Sequence, residues 1–108
     1  MQVRLFNWLG REFVEIVEEG QDGLAADLAT EQLFHRFETE LLSHGLSLED
    51  TVRIRVWGRD KSERTLATAA RSKILTGQRK AASSSFISPR WFESAATAAL
   101  ELLAMKPT

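Results

Sequence analysis

The stretch GLSLEDTVRIRVWGRD, from Gly45 to Asp60, indicates the end of one helix, a capped turn, a strand and the start of a second helix. Gly45 suits the position just after a helix, where a left-handed backbone is common. Ser47 is a good N-cap for the short LED turn that follows it. Asp60 and Glu63 are three residues apart, as in a capping box, and predict the next helix. Two helices separated by one strand are therefore expected.

The central part of this stretch alternates as the two faces of a β-strand do. One face carries Val52, Ile54 and Val56, and the other carries Arg53, Arg55 and Trp57. The first face suits a hydrophobic core. The second face is too apolar and too charged to be left wholly to solvent, so it is expected to need cover.

The same patterns predict the other elements of the chain. The opening VRLFNWL and EFVEIVEE indicate two strands joined by a tight turn at Gly10-Arg11. A first helix of about five turns, ending near Gly45, has an apolar stripe of Leu33, Phe37 and Leu41. A second helix is predicted at Lys61–Thr76, with a buried stripe of Leu66, Ala70 and Ile74. A strand at Lys80–Ile87 and a last strand at Ala96–Met105 follow it.

Two amphipathic helices with a strand between them most economically cover one face of one sheet. We therefore predict an α+β fold in one domain, residues 1–108, with a single mixed β-sheet and two α-helices packed on one face. A homo-oligomer would cover the other face of the sheet.

Composition excludes several classes of function. The chain has 108 residues, 14 Lys and Arg against 15 Asp and Glu, and no cysteine. The net charge of -1 gives no general attraction to nucleic acid or to an anionic membrane. Without cysteine there is no disulfide, no thiolate nucleophile and no Cys-based zinc site. The N-terminus does not resemble a signal peptide, and the longest apolar run, Ala95–Met105, is far shorter than the ~20 residues of a membrane span, so we expect a cytoplasmic protein.

The order GLSLED, Asp60, a helix, SSSFI and ALELLAM resembles the RidA/YjgF family of small trimeric proteins, the Rid superfamily. The resemblance covers the chain from about Thr30 to Met105. It implies a chorismate-mutase-like architecture, a homotrimer and a ligand cleft between neighbouring subunits. It also implies deamination of 2-imino acids without a metal or organic cofactor.

In RidA-like enzymes, an arginine just before the serine of the penultimate strand holds the substrate carboxylate, and a carboxyl group on the last strand positions water. On this pattern Ser83 matches the family serine, and Ala82 stands at the arginine position. The glutamate position falls near Ala99, with Glu101 two residues later on the same strand face. The chain is thus similar to a branch that lacks the usual catalytic arginine.

Two groups of cations are candidates to replace that arginine. Arg79 precedes Ala82 closely enough to reach the cleft and would act with Glu101 as a catalytic pair; alternatively, Arg79 belongs to a solvated loop after the helix. Arg53 and Arg55 lie about 7 Å apart along one strand face and can converge on one anion. Alternatively, they are structural and pair with Glu101 or with an acidic residue of a neighbouring subunit.

The other predicted ligand-binding residues are Ser83, Ser85 and Trp91. The serines offer hydroxyl groups, but a nucleophilic serine requires a neighbouring base, and both histidines, His35 and His44, lie on the first helix. Their spacing does not suit a metal pair either, so no metal site is predicted. Trp91 is expected at the mouth of the cleft, although tryptophans more often anchor a core or an interface.

Two functions remain open, and a third has less support. The first is binding of a small carboxylate or carbonyl metabolite in intersubunit clefts. The second is a hydrolase, a 2-imino acid deaminase with a relocated arginine. The third, an endoribonuclease or translation inhibitor, is disfavoured by the acidic balance and the lack of an RNA-stacking motif. The expected partners are therefore two further copies of the chain and a small carboxylate, with no cofactor, nucleic acid or membrane.

Overall fold

The computed structural model describes residues 1–77, 81–88 and 90–107. Five strands, two α-helices and one short 3₁₀ helix at Leu48–Asp50 are found in these ranges. The strands are β1 (Gln2–Trp8), β2 (Arg11–Glu19), β3 (Thr51–Gly58), β4 (Ala82–Ile87) and β5 (Ala98–Met105). The helices are α1 (Ala26–Ser43) and α2 (Lys61–Ile74).

The strands form one sheet in the order β1-β2-β5-β3-β4. Only β3 and β4 are parallel; the three other pairs are antiparallel. The parallel pair is joined through α2, as a parallel connection requires. Both helices pack on the same side of this mixed sheet, so the predicted α+β architecture is confirmed.

The core lies between the helices and one face of the three central strands. Phe37, Leu33 and Leu41 of α1 recur at helical spacing and are almost completely buried. Every second residue of the three central strands packs against these helix residues: Val14, Ile16, Ile54, Val56, Leu100, Leu102 and Ala104. The predicted apolar stripe of α1 and the predicted core face of β3 at Ile54 and Val56 are both confirmed.

The predicted caps around β3 are also present. Gly45 follows α1 with a φ of 74°. The Ser47 side chain accepts from the backbone N–H of Glu49, and Asp50 accepts from the backbone N–H of Ser47, 2.8 Å away. The Asp60 side chain accepts from the N–H of Glu63, 2.8 Å away. These caps fix where β3 begins and where α2 starts.

The predicted buried stripe of α2 was wrong at Leu66. That side chain is 40% exposed, whereas Ala67 and Ala70 are buried and Ile74 packs against the core. The helix approaches the sheet so closely that its contact positions must be small. The register of the stripe is therefore set by Ala67 rather than by the more hydrophobic leucine beside it.

Several predicted boundaries also shift. The hairpin turn is Leu9-Gly10 rather than Gly10-Arg11, since Arg11 already pairs with Trp8. Helix α2 ends at Ile74, and β4 and β5 begin at Ala82 and Ala98, later than predicted. In the described part of the chain, no helix is long and apolar enough to span a bilayer.

Leu9 adopts an unfavourable backbone at the tip of the hairpin. Both turn residues have positive φ, 54° at Leu9 and 76° at Gly10, and Leu9 is 80% exposed. A side chain such as leucine in this conformation costs roughly 1–2 kcal/mol, which asparagine largely avoids. We expect Leu9→Asn to stabilise the fold by about 0.5–1 kcal/mol, seen as a higher urea midpoint at an unchanged slope.

Leu42→Asn is the matched control for this change. Leu42 is also exposed, at 63%, but it lies inside α1, where asparagine is a poorer helix former than leucine. The control should lower the midpoint slightly. A Leu9→Asn midpoint at or below that of the wild type would show that the turn stores no strain.

Candidate functional site

The sheet face that carries no helix, called here the open face, gathers most of the predicted site residues. Strand register places its side chains in rows that run across the sheet. One row contains Val17, Glu101, Arg55 and Ser84, and the next contains Arg4, Glu15, Leu103, Arg53 and Ala82. A third row contains Glu19, Ala99, Trp57 and Phe86.

Charged side chains form a connected cluster in the first two rows. Arg55 Nη1 donates to Glu101 Oε1 at 3.1 Å, and Arg53 Nη2 reaches the same oxygen at 3.4 Å. Arg53 Nη2 also lies 3.8 Å from Glu15 Oε2, and Arg4 Nη2 lies 3.2 Å from Glu15 Oε1. One carboxylate oxygen thus holds two guanidinium groups beside each other.

The cluster keeps a positive excess. Its three arginines meet two glutamates, so one positive charge is left over among these residues. The side chains of Arg53 and Arg55 are 37% and 38% exposed, whereas those of Glu15 and Glu101 are 20% and 14% exposed. A guanidinium has more N–H donors than these contacts use. The cluster can therefore accept a further anion on its exposed side.

An aromatic stack stands directly beside this cluster. Trp57, two residues after Arg55 on the same face, lies between Phe86 and Trp91, with ring centroids 4.6 and 4.8 Å away. Phe92 meets the edge of Trp91 at 5.6 Å. Among the described residues, the buried Nε1 of Trp57 has no hydrogen-bond partner.

A cleft of about 520 Å³ opens next to the stack, within the range of ligand pockets. Trp91 and Val17 line it together with three glutamates, Glu18, Glu19 and Glu93. Val17 shares a row with Glu101 and Arg55, so the cleft and the arginine pair belong to the same surface. The arginine cluster is thus adjacent to a cleft whose wall is partly aromatic and partly acidic.

The structure unites some predicted site residues and separates others. Glu101, Arg53 and Arg55 are in contact, and Trp91 joins them through Trp57. Pairing of the two arginines with Glu101, one of the two interpretations drawn from the sequence, is observed.

Ser83 and Ser85 lie on the helix side of the sheet, since they pair with Ile54 and Val56. Ser84 lies on the open face beside Arg55 instead. Arg79 lies outside the described residues, so its predicted role stays a prediction.

Sequence reasoning missed Glu15, Glu19 and Arg59. Alternation along β2 places Glu15 on the open face. The side chains that Glu15 meets there depend on the pairing of β2 with β5, which is distant in sequence. Glu19 accepts hydrogen bonds from the loop before β5, and Arg59 donates to the same loop. Burial alone would raise the pKa of Glu19, but these hydrogen bonds, above all from Ser94, together with the nearby Arg59 charge hold that pKa below its usual value.

Solved structures resemble the whole chain. A YjgF-family member from Neisseria meningitidis matches with a TM-score of 0.78 at 13% identity, over 100% of this chain and 98% of that one. A proposed translation initiation inhibitor from Salmonella typhimurium matches with 0.79 at 8% identity, over 96% and 97%. A proposed endoribonuclease from Thermotoga maritima matches with 0.77 at 17% identity, over 96% and 85%.

Comparison of the sequence alone gives no such likeness: no family model and no curated protein matches it. At the identities found, the structural matches establish the fold. The chain has the fold of the YjgF family, which confirms the resemblance to the Rid superfamily at the level of architecture.

Proposed function

We propose that this protein is a homotrimer of the Rid superfamily that binds a small carboxylate or carbonyl metabolite in clefts between its subunits. The observation that carries this proposal is the pair Arg53 and Arg55, held on one oxygen of Glu101 and still partly exposed. The open face would form one wall of each cleft. A neighbouring subunit would form the other.

The arginine pair suits a carboxylate for electrostatic and geometric reasons. Glu101 holds both guanidinium groups in place, so a ligand does not have to order two long side chains on binding. Hydrogen bonds from an arginine to a carboxylate contribute about 1.5–3 kcal/mol each when they are shielded from water. The excess positive charge favours an anion over a neutral analogue of the same shape.

The resemblance also explains why a cation at this place is significant. Ala82, at the position of the family arginine, lies on the open face and pairs with Arg53 on the adjacent strand. Adjacent strands are about 5 Å apart. The guanidinium groups of β3 can therefore reach the space that an arginine at position 82 would occupy.

The open face calls for a partner because of its chemistry rather than its area. The accessible surface of 6231 Å² is close to the roughly 6,100 Å² expected for a monomer of this mass. However, half-buried Val17, Leu103 and Met105 lie beside charged side chains on the open face. A second subunit would cover these apolar groups and enclose a cleft against this face.

Sedimentation and titration calorimetry test the two parts of the proposal. Sedimentation at micromolar concentration is expected to show a trimer, and a folded monomer would contradict the assembly. Pyruvate is a suitable first ligand, with pyruvamide as a neutral control of the same shape. Binding of pyruvate alone would support the carboxylate site, whereas equal binding of both compounds would contradict it.

The alternative function, a 2-imino acid deaminase with a relocated arginine, is favoured by Glu101 on the last strand beside Arg55. Glu101 Oε1 already accepts hydrogen bonds from two arginines, so positioning of water would fall to its other oxygen, Oε2. Ala99, near which the family glutamate position falls, has no carboxyl group and is buried in the cluster beside the aromatic stack. RNA cleavage, suggested by the name of the Thermotoga maritima structure, gains no support from the net charge of -1, because nucleic-acid binding draws mainly on an excess of positive charge.

We therefore expect no acceleration of ammonia release from 2-iminopropionate generated in situ, compared with buffer alone. The measurement should include Arg55→Ala and Arg79→Ala beside the wild type. Acceleration by the wild type that either substitution removes would establish the deaminase and identify the arginine that replaces the family residue.

A further inference from the structure

The loop between β4 and β5, described at residues 88 and 90–97, is held from β2 by one carboxylate. Glu19 ends β2, and its two oxygens accept from the backbone N–H of Glu93 at 3.1 Å. One of these oxygens also accepts from the N–H of Ser94 at 3.1 Å and from its hydroxyl at 2.7 Å. A carboxylate so surrounded by donors orders the backbone around it.

An arginine holds the same loop from the other side. Arg59 follows β3, and its Nε donates to the carbonyl oxygen of Ala96 at 2.6 Å. Its Nη2 donates to the carbonyl oxygen of Ser94. The guanidinium also lies over the Phe92 ring, 4.8 Å from the centroid. Glu19 and Arg59, which we call the loop clamp, thus hold Ser94 through its donors and its acceptor respectively.

The clamped loop places Trp91 on the open face. The Trp91 ring lies nearly parallel to Trp57, at 13° and 4.8 Å, and both rings pack against the small cluster of Phe92, Ala96 and Ala99. A larger residue at position 99 would occupy the same space, since its side chain points to the open face between Glu19 and Trp57. Trp91 also lines the 520 Å³ cleft, together with Val17.

The structure assigns to Glu19 and Arg59 the role of positioning residues, which hold the Trp91 ring against the Trp57 ring. The stacked rings then give the arginine site an aromatic wall, which suits carboxylates that carry a flat apolar group. The second part of this assignment rests on the carboxylate site proposed above. Val17 and Arg55 are separated by two strand spacings, about 10 Å. An arylalkyl acid spans that distance, with its carboxylate at the arginine side chain and its ring against Trp91.

The positioning role is tested without any ligand. Stacked indoles couple their electronic transitions, and Trp57 and Trp91 should give an exciton couplet in circular dichroism. Glu19→Gln replaces an acceptor oxygen with an N–H₂ group that faces N–H donors, so the loop should no longer be held. Trp91 would then leave Trp57, and the couplet should be largely lost. Glu12→Gln is the control, because Glu12 is an exposed glutamate of the same strand, paired with Lys106. It should keep the couplet.

Arg59→Lys provides a second variant that keeps the charge and loses the two-pronged contact. Arg59→Lys should also reduce the couplet. The test then depends on this variant alone if Glu19→Gln does not fold. Wild-type couplets in both Glu19→Gln and Arg59→Lys would overturn the positioning role.

The ligand class is tested with pyruvate and phenylpyruvate, which differ by one phenyl ring. We expect the wild type to bind phenylpyruvate about tenfold more tightly, as stacking of one ring allows. In Glu19→Gln the ratio of the two affinities should fall to about one, whatever the change in the affinity for pyruvate itself. Binding of pyruvate without any preference in the wild type would overturn the ligand class alone. Binding of neither acid would overturn the carboxylate site as well.

Discussion

Arg55→Ala is expected to weaken pyruvate binding by about 100-fold. The change removes the guanidinium nearest to Glu101, at 3.1 Å, and with it the charge-assisted hydrogen bonds that the ligand would receive. It also removes the excess positive charge, because two arginines then face two glutamates. A loss of about 2.7 kcal/mol corresponds to this factor. Titration calorimetry of pyruvate measures the change directly.

Two further variants separate charge from geometry. Arg55→Lys keeps the charge but offers no planar pair of donors, so it should lose about tenfold. Lys73→Ala is the control for loss of a surface cation, because Lys73 is an exposed residue in the last turn of α2, on the helix side of the sheet. It should bind pyruvate as the wild type does. An Arg55→Ala protein that retains wild-type affinity and a wild-type melting temperature would exclude Arg55 from the site and contradict binding by the arginine pair.

The outcome at Arg53 and Arg55 shows what a single strand reveals from its sequence. Period-two alternation places both side chains on one face, and the same rule applied to ALELLAM places Glu101 on one face of the last strand. To predict the contact between the arginines and Glu101, one further fact was required: β3 and β5 are neighbours in the register that pairs Arg55 with Glu101. Glu15 was not predicted because its position depends on the order β2-β5-β3 across the sheet.

The serines of β4 show where periodicity gives no information. Ser83, Ser84 and Ser85 are consecutive and identical, so the sequence does not indicate which of them faces the open side. Only pairing with β3 decides this, and it places Ser84 beside Arg55. When a strand has no apolar face, its sequence does not decide which residues face the core, and the pairing with neighbouring strands decides it instead.

Loop residues were harder to place than strand residues for a related reason. Trp91 reaches Trp57 because Glu19 and Arg59 hold the intervening loop, and neither contact is local in sequence. No spacing rule joins the end of β2 to a loop more than seventy residues later. The aromatic residue was recognisable, but its stacking partner was not.

Gly58→Ala is expected to have the largest effect on stability, a loss of at least about 3 kcal/mol. A Cβ at this position would lie 2.4 Å from the backbone N of Arg64 and 2.6 Å from its Cα. Backbone atoms cannot rotate away as the end of a side chain can, so the first turn of α2 must move away from β3. For a domain of this size, such a loss lowers the melting temperature by roughly 12 °C or more.

Gly23→Ala is the matched control for this substitution. Gly23 has a φ of 85° with nothing within 4 Å of an added Cβ, so alanine there meets only the left-handed penalty of about 1–2 kcal/mol. Equal losses at the two glycines, measured by urea denaturation, would show that α2 adjusts without cost.

Gly58 also connects the packing of α2 to the open face. Arg59 is its neighbour in the chain, and α2 begins two residues further on, so a displaced helix would carry the arginine of the loop clamp with it. A folded Gly58→Ala protein should therefore lose part of the Trp57–Trp91 couplet, whereas Gly23→Ala, where the added Cβ meets no atom within 4 Å, should keep it. Close packing of one helix on one glycine would then determine both the stability of the core and the shape of the site on the opposite side of the sheet.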